Sequence, residues 1–429
     1  MLSTLRNAWK IPDLRNRILF TLLMIAIFRL GSAVPVPGID SGALAKAFSN
    51  SEDGLLGLFN LMSGGNFKTF TIFALGISPY ITASIVLNLL QIAFPALEAI
   101  AKEGEVGRKK IARYTRYLTV VLALIQGFGF SLGYFKPFFI STLTGASDAA
   151  QAWSIFLAVL TLTAGTAFLM YLGEKITDKG IGNGISLFIF AGIIASLPSS
   201  LLGMYTNLRN GQMNIIEVIG FALLALVIIM GIIFIQQGQR KIPVQYAKRV
   251  VGRKMYGGQT THIPLKVNQA GVIPVIFAIS ILMFPATIAA FFSDSGFYDF
   301  VQKYLSQTGV IYNILYALLI LFFTYFYTNI TFNPVDVADR LKTNGGFIPG
   351  IRPGRPTAEH LSRSLNKITI VGALFLAVIA ILPNILGALT ATQFSFGGTS
   401  LLIVVSVSLE TMKQVEAQML MRHYEGFLN

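Results

Sequence analysis

Ten apolar stretches, each close to the length that crosses a bilayer, constrain this chain of 429 residues more than any other feature. About 30 Å of hydrocarbon takes roughly 20 helical residues at about 1.5 Å per residue. The stretches are 18–34, 70–90, 118–135, 152–172, 181–198, 215–235, 271–292, 310–329, 368–387 and 398–412. Only 12% of the residues are charged, about half the usual fraction in soluble domains. Since backbone polar groups in lipid must pair within their own segment, the pattern predicts an all-α polytopic membrane protein with ten transmembrane helices.

The basic residues are divided unevenly between the two sides that ten spans create. With the N-terminus placed inside, 27 of the 33 Lys and Arg residues lie on the inner side and 5 on the outer side, and Arg29 falls within the first span. Loops rich in Lys and Arg remain on the cytoplasmic side of a membrane. The sequence therefore predicts a multi-pass protein with both termini in the cytoplasm.

Residues that carry chemistry are nearly absent from the spans. The chain has no cysteine, and its three histidines, His262, His360 and His423, lie in polar stretches. Arg29 is the one charge well inside a span, near the outer end, from which a long side chain reaches the interface. Ion-coupled transporters use buried carboxylates, and a membrane enzyme needs a nucleophile with its base. We therefore expect no enzyme activity, no cofactor and no metal site, and favour a passive channel with an apolar barrier over a secondary transporter or a membrane-embedded enzyme.

Two spans share the motif G-x-x-P-x-I, at residues 76–81 and 271–276. The motifs lie five spans apart, in spans that run in opposite directions, which is the arrangement of an inverted repeat. Glycine and proline are common in membrane helices, so a chance match is the alternative. Because proline removes a backbone hydrogen bond, we expect a bend in each helix. The repeat divides the chain into five-span halves, residues 1–198 and 199–429.

Three segments outside the spans have unusual compositions. Residues 54–62 are apolar but too short to span, which is typical of a plugging helix inside a protein cavity or of an interfacial helix. The loop 237–268 has seven basic and no acidic residues, and the loop 330–367 has six basic and three acidic ones. Attraction to anionic lipid explains such charge, and so does docking of a soluble partner. The Gly/Pro-rich stretch 345–354 favours docking, because its turns would hold nearby arginines in place.

Seven motifs, in order along the chain, resemble the SecY family in its bacterial form. They are FRLGSAVPVPGI (28–39), IFALGISPYITASI (72–85), EGEVGRKKIARYTRY (103–117), GIGNGISLFIFAGI (180–193), PLKVNQAGVIPVIFA (264–278), GGFIPGIRPGRPT (345–357) and GGTSLLIVVSVSLETMKQ (397–414). The resemblance implies two inverted five-helix halves that form a clamshell around a central pore in the plasma (inner) membrane. It implies a protein-conducting channel that moves secretory polypeptides across this membrane and membrane-protein helices laterally into it.

The resemblance also implies roles for particular residues, motif by motif. A ring of apolar side chains should close the pore: Ile81, Ile85, Ile185, Ile189, Ile276 and Ile403. A plug near 54–64 should include Leu55, Leu56, Leu58, Phe59, Leu61 and Met62. The second and seventh spans should form a lateral gate, to which Gln126 and Asn268 contribute polar groups.

The implied partners dock on the two basic loops or around the spans. The SecA motor ATPase or the ribosome should bind the loops through Lys248, Arg249, Arg253, Lys254, Arg352 and Arg355. SecE should clamp the halves from outside, and SecG should associate at the periphery. Polypeptides that bear signal sequences are the implied substrates, and membrane lipid surrounds the whole.

Overall fold

The structure, a computed structural model, describes residues 8–40, 42–44, 60, 63–139, 148–211, 213–246, 249–251, 254–256, 260–292, 295–305, 309–390 and 398–425. The helices are α1 (Pro12–Gly31), α2 (Ser78–Ala93), α3 (Pro95–Lys102), α4 (Glu105–Gly133), α5 (Asp148–Lys179), α6 (Gly184–Arg209), α7 (Ile215–Gln237), α8 (Ile273–Ala289), α9 (Gly296–Tyr304), α10 (Val310–Thr331), α11 (Pro334–Thr343), α12 (Arg355–Thr390) and α13 (Gly398–Glu425). The strands are β1 (Gln239–Tyr246), β2 (Arg249–Val251), β3 (Lys254–Tyr256), β4 (Thr260–Lys266) and β5 (Gly346–Phe347). Short 3₁₀ turns cover Lys136–Phe138 and Ala290–Phe292.

A helix lies at each of the ten predicted spans. They are α1, α2, α4, α5, α6, α7, α8, α10, α12 and α13. By length and composition, six helices in the described part of the chain could cross a membrane, or up to seven if α2 and α3, which meet at a bend of 102°, form one broken span. Helix α8 is apolar but only 17 residues long. Helix α1 carries charged residues near both ends and α13 carries them from its middle onward, which lowers the hydropathy of both helices.

The two G-x-x-P-x-I motifs are helix starts rather than helix bends. Pro79 and Pro274 are the second residues of α2 and α8, where the missing N–H has no partner within the helix to lose. Gly76 and Gly271 precede them with left-handed φ angles of 56° and 64°, which favour glycine. The predicted bends at these prolines are therefore wrong. The motif instead builds the same turn and helix start at matching positions of the chain.

The predicted boundary between the halves lies inside a helix. Pro198 ends the apolar stretch, but α6 continues through it to Arg209. A proline within a helix removes one hydrogen bond, and the polar residues after it lower the hydropathy without ending the helix. The connection between helices at this point is residues 210–214, which join α6 to α7.

The two basic loops fold together into one small unit that the sequence did not predict. Strand β1 pairs antiparallel with β4 from the same loop, with Gln239 opposite Lys266, and with β5 from the second loop, with Gln245 opposite Phe347. The inward side chains Ile242, Val244 and Leu265 pack against α11 and α12. We call this three-stranded sheet, in the order β4–β1–β5, the loop sheet. In β1 only Ile242 and Val244 alternate as buried apolar residues, and this pattern is too short to predict a strand from the sequence.

Candidate pore and lateral gate

The six isoleucines predicted to close the pore lie on four helices. Helix α2 carries Ile81 and Ile85, α6 carries Ile185 and Ile189, α8 carries Ile276, and α13 carries Ile403. Five are buried, with exposed fractions between 2% and 5%, and Ile185 is partly buried. All six belong to one continuous hydrophobic cluster, with Ile185 packed at its edge. Helix α2 contacts α8, and α6 contacts α13, so each early helix of the set meets a late one.

Local sequence explains where these isoleucines stand on their helices. Asn183 caps α6: its side-chain oxygen accepts hydrogen bonds from the backbone N–H groups of Ile185, at 3.1 Å, and Ser186, at 3.4 Å. The cap fixes the helix start directly before Ile185. The spacing of four residues from Ile185 to Ile189, and from Ile81 to Ile85, puts both members of each pair on one helix face. Each pair therefore presents one apolar surface near the start of its helix.

Polar contacts that the sequence analysis missed hold α13 beside α6 and α7. The Gly182 N–H, in the turn before α6, donates to Gln414 Oε1 of α13 at 2.9 Å. Lys413 Nζ donates to the Gln236 carbonyl of α7 at 3.1 Å, and the Gln236 amide donates to Ser406 Oγ. Burial lowers the pKa of Lys413, and the ammonium of Lys266 lowers it further. No sequence signal singled these residues out, because isolated Gln and Ser residues occur on most helices.

The two polar residues assigned to the gate are both buried, but they lie in different elements and do not bond to each other. Gln126 of α4 is 4% exposed, and its Oε1 has no hydrogen-bond partner in the described part of the chain. Asn268 precedes α8, and its Nδ2 donates to the Gly271 carbonyl at 2.9 Å. No hydrogen bond among the described residues joins the two. Asn268 therefore stabilises the turn that starts α8, and its role in a gate stays a prediction.

The contact between α4 and the end of α8 passes through a residue that the sequence analysis did not name. The ring of Phe291, in the 3₁₀ turn after α8, covers Gly129 so closely that a Cβ built on Gly129 would lie 2.5 Å from the ring. Phe128 lies beside the same ring, with centroids 6.4 Å apart. Together with the packing of α2 against α8, this contact forms the seam between the two predicted halves. We call it the Gly129–Phe291 seam.

All six residues assigned to the plug lie outside the described residues. The chain that follows them is described and is held firmly. The Lys68 N–H donates to Asn60 Oδ1 at 2.9 Å, and the Gly65 N–H donates to the Asn60 carbonyl at 2.8 Å. Gly64 lies against Gly192 of α6, since a Cβ on Gly64 would lie 2.5 Å from the Gly192 Cα. The segment after the predicted plug is thus anchored on a helix that carries two of the predicted ring residues.

Four of the six predicted partner-binding residues lie in the described part of the chain. Lys248 and Arg253 lie outside the described residues, while the backbones of Arg249 and Lys254 lie in β2 and β3, which pair with each other. Arg352 and Arg355 are exposed. The turns expected around them are present, since Gly350 and Gly354 have φ angles of 81° and 96°. The Arg352 carbonyl accepts from Thr357 Oγ1 at 2.8 Å, and Arg355 Nε lies 3.2 Å from Glu359 Oε1.

These features define a class of membrane protein: polytopic and helical, with isoleucines from four helices in one apolar cluster and a basic sheet unit at one end of the helices. Comparison with known sequences specifies it further. The SecY family model matches residues 71–412. The protein translocase subunit SecY of Streptomyces scabiei is 50% identical over 441 residues, and that of Halalkalibacterium halodurans is 50% identical over 442, each covering 100% of both chains. The SecY subunit of Thermotoga maritima is 42% identical, covering 100% of this chain and 98% of its own.

The chain belongs to the SecY family. Solved structures agree on the fold. One described as a protein-conducting channel covers 94% of this chain and 91% of its own, with a TM-score of 0.65 and 19% identity. Sec61 in the canine ribosome–channel complex from the endoplasmic reticulum has a TM-score of 0.61 and 18% identity over the same shares. The family resemblance carried by the seven motifs and the predicted fold class, an all-α membrane protein with ten helices in a clamshell, are confirmed.

Proposed function

We propose that this chain is the central subunit of a protein-conducting channel that moves secretory polypeptides across the plasma membrane. Relatives that align with it over their full length are named protein translocase subunit SecY. The observation that carries the proposal is the apolar cluster in which Ile81, Ile189, Ile276 and Ile403 from four helices are all buried. An apolar constriction excludes ions by dewetting and has no binding preference among side chains. Such a barrier suits a substrate of any sequence.

The energy for transport comes from partners in this proposal, and the chain itself is a passive conduit. The SecA motor ATPase and the ribosome dock on the two basic loops, with Arg352 a contact of the motor, while SecE and SecG bind the helices. The solved complex of Sec61 with a ribosome supports the ribosome as a partner of this fold. The loop sheet supports docking because it joins both basic loops into one folded surface. This surface faces the cytoplasm, together with both termini, which the distribution of basic residues supports.

Lateral release of membrane-protein helices takes place between the two halves. The Gly129–Phe291 seam, which consists of the packing of α2 against α8 and the contact between Gly129 and Phe291, separates these halves. Side chains along it are largely apolar, and apolar contacts can separate without leaving buried charges unpaired. Signal sequences enter at the same seam, and the plug near 54–64 closes the empty pore below the ring.

A disulfide crosslink tests whether a polypeptide passes the isoleucine cluster. The chain has no cysteine of its own, so Ile276→Cys is the only thiol in the channel. A secretory substrate with one cysteine in its middle is stalled during SecA-driven export and then oxidised. We expect a crosslink that requires ATP and a functional signal sequence, from Ile276→Cys and also from Ile81→Cys and Ile403→Cys. Phe234→Cys on α7, where the native side chain is 78% exposed, is the matched control and should give none. Absence of a crosslink from all three ring positions would refute the proposed path.

A further inference from the structure

A polar cleft lies beside Arg29, the one charge well inside the first predicted span. Its volume is about 300 Å³, which is at the small end for ligand sites. Its walls come from the end of α1, from segment 64–69 and from α6. The polar side chains that line it are Arg29, Ser32, Asn66, Thr69, Ser196 and Ser199. Among its lining residues, only Gly64 belongs to a segment with a role proposed above, as the last residue of the plug.

Arg29 has no anionic partner in the described part of the chain, and the lining of the cleft contains neither Asp nor Glu. Its side chain is partly buried. An unpaired charge that is partly withdrawn from water is costly, and a side chain that only reaches toward water needs no walls around it. The cleft around Arg29 therefore points to an anionic ligand that pairs with the guanidinium.

The donors in the cleft that are not already used in hydrogen bonds indicate the chemistry of that ligand. The Ser32, Ser196 and Ser199 hydroxyls donate to carbonyls of their own helices, at 2.8–2.9 Å. The Asn66 amide donates one N–H to the Ser63 carbonyl at 2.6 Å. The donors left for a ligand are the guanidinium, the second N–H of Asn66 and the Thr69 hydroxyl, which has no partner among the described residues. A guanidinium is a planar fork that matches two oxygens of a phosphate. A phosphate group fits this arrangement.

The cleft is preformed, because a close backbone contact fixes its wall. Gly64 and Gly65 have φ angles of 71° and 89°, a backbone conformation that residues other than glycine rarely adopt. Gly64 lies directly on Gly192 of α6, so segment 64–69 and α6 are held together. A preformed site loses little entropy when a ligand binds.

Apolar side chains exposed on either side of the cleft indicate where the phosphate comes from. Leu30, adjacent to Arg29 on α1, is 72% exposed, and Leu202 on α6, one turn beyond Ser199, is 65% exposed. We propose that the cleft binds the phosphate group of a membrane phospholipid, whose acyl chains lie along these leucines. Since Arg29 is near the outer end of the first predicted span, we assign this phospholipid to the outer leaflet. The leaflet assignment rests on the orientation proposed above, whereas the binding itself does not.

Native mass spectrometry of the purified full-length chain, titrated with phosphatidylglycerol in mixed micelles, tests this proposal. Arg29→Gln removes the charge and should weaken the first bound lipid about tenfold. Ser199→Phe keeps the charge but fills the cleft from an exposed position, so it should fold and show a similar loss. Arg209→Gln is the matched control, since Arg209 is exposed at the end of α6 and is predicted on the same side of the membrane. It should bind lipid like the parent.

Equal lipid binding by the parent, Arg29→Gln and Ser199→Phe would overturn the proposal, as would an equal loss in Arg209→Gln, which would indicate diffuse charge attraction. A second arm adds inorganic phosphate in place of lipid. Arg29-dependent thermal stabilisation by inorganic phosphate, without Arg29-dependent lipid binding, would assign the cleft to a free anion and overturn the lipid source. None of these measurements involves transport, so their failure would leave the channel function untouched.

Discussion

At the scale of single residues, the proposed barrier depends on side chains with no polar atoms. Five of the six isoleucines proposed for the ring are buried in one cluster, with Ile185 packed at its edge. In the proposed barrier, each of these side chains would keep the pore narrow and dry. Removing an isoleucine side chain leaves a cavity as well as losing its burial. A cavity that joins water on both sides would cease to exclude ions.

Ile81→Gly combined with Ile403→Gly should raise the resting ion conductance of the channel several-fold. The two residues lie on α2 and α13, so the change widens the ring from two sides. Conductance across planar bilayers containing the purified complex is the measurement. The control is the pair Ile216→Gly and Phe234→Gly on α7, whose native side chains are each 78% exposed. Conductance no greater than that of the parent would exclude these residues from the barrier.

Arg352→Glu should slow SecA-driven translocation more than about tenfold if Arg352 is a central contact of the motor. Its side chain is exposed and its backbone is fixed by the Thr357 hydroxyl, so reversing the charge changes the surface without disturbing the fold. Transport of a secretory substrate into inverted vesicles measures the effect, and insertion of a membrane protein by the ribosome route should persist. Arg363→Glu, also exposed in the same loop, serves as the control. Parent-like motor activity in Arg352→Glu would refute the docking assignment.

Residue positions could be predicted only where a motif marked them. The isoleucines and Arg352 stand in family motifs, and in the structure five of the six isoleucines are buried and Arg352 is exposed. Gln414, Ser406 and Phe291 carry contacts between distant helices. Gln414 and Ser406 stand in the last motif, but the motif does not indicate these contacts, and Phe291 stands in none of the motifs. Their partners lie more than 150 residues away along the chain, and only folding brings the two sides of each contact together. A single sequence contains no record of such distances.

At the scale of elements, hydropathy located all ten long helices but not their ends. Helix α2 begins at Ser78, eight residues after its apolar stretch begins, because the left-handed Gly76 precedes the helix. Helix α6 runs past Pro198 to Arg209. Turn geometry and capping decide where helices start and stop, and a hydropathy average does not contain them. The loop sheet was missed for the related reason that two strands from different loops complete it.

Gly271→Ala should destabilise the protein by about 1–2 kcal/mol, the typical cost of a left-handed residue other than glycine. Space does not limit the substitution, since the nearest atom to a Cβ at this position is Glu410 Oε2 at 3.8 Å. The φ angle of 64° is the cause of the loss. Thermal unfolding in detergent measures it. Gly296→Ala at the start of α9, where the Cβ meets nothing within 4 Å and φ is ordinary, should unfold like the parent. Equal stability of both variants would contradict the helix-start interpretation of the motif.

At the scale of the whole molecule, the two proposed halves share a local motif and pack against each other. The same turn and helix start occurs at α2 and at α8, and these helices pack against each other. Early helices therefore face late ones along the seam, as an inverted repeat requires. The TM-score of 0.65 at 19% identity indicates that this arrangement persists although most side chains differ. The function of the seam then depends on whether the halves can separate.

Covalent closure of the Gly129–Phe291 seam should block the release of membrane-protein helices into lipid. Gly129→Cys with Phe291→Cys places one thiol on each side, in a chain without other cysteines, and a short cleavable bismaleimide joins them. The geometry has a matched control, since the Phe73 ring covers Gly31 in the same way and both residues belong to the first proposed half. Gly31→Cys with Phe73→Cys should therefore be crosslinked without loss of activity. Insertion of a single-span membrane protein into vesicles is the readout, and it should return after the linker is cleaved. Insertion that continues through a fully crosslinked seam would mean that membrane helices leave the channel elsewhere.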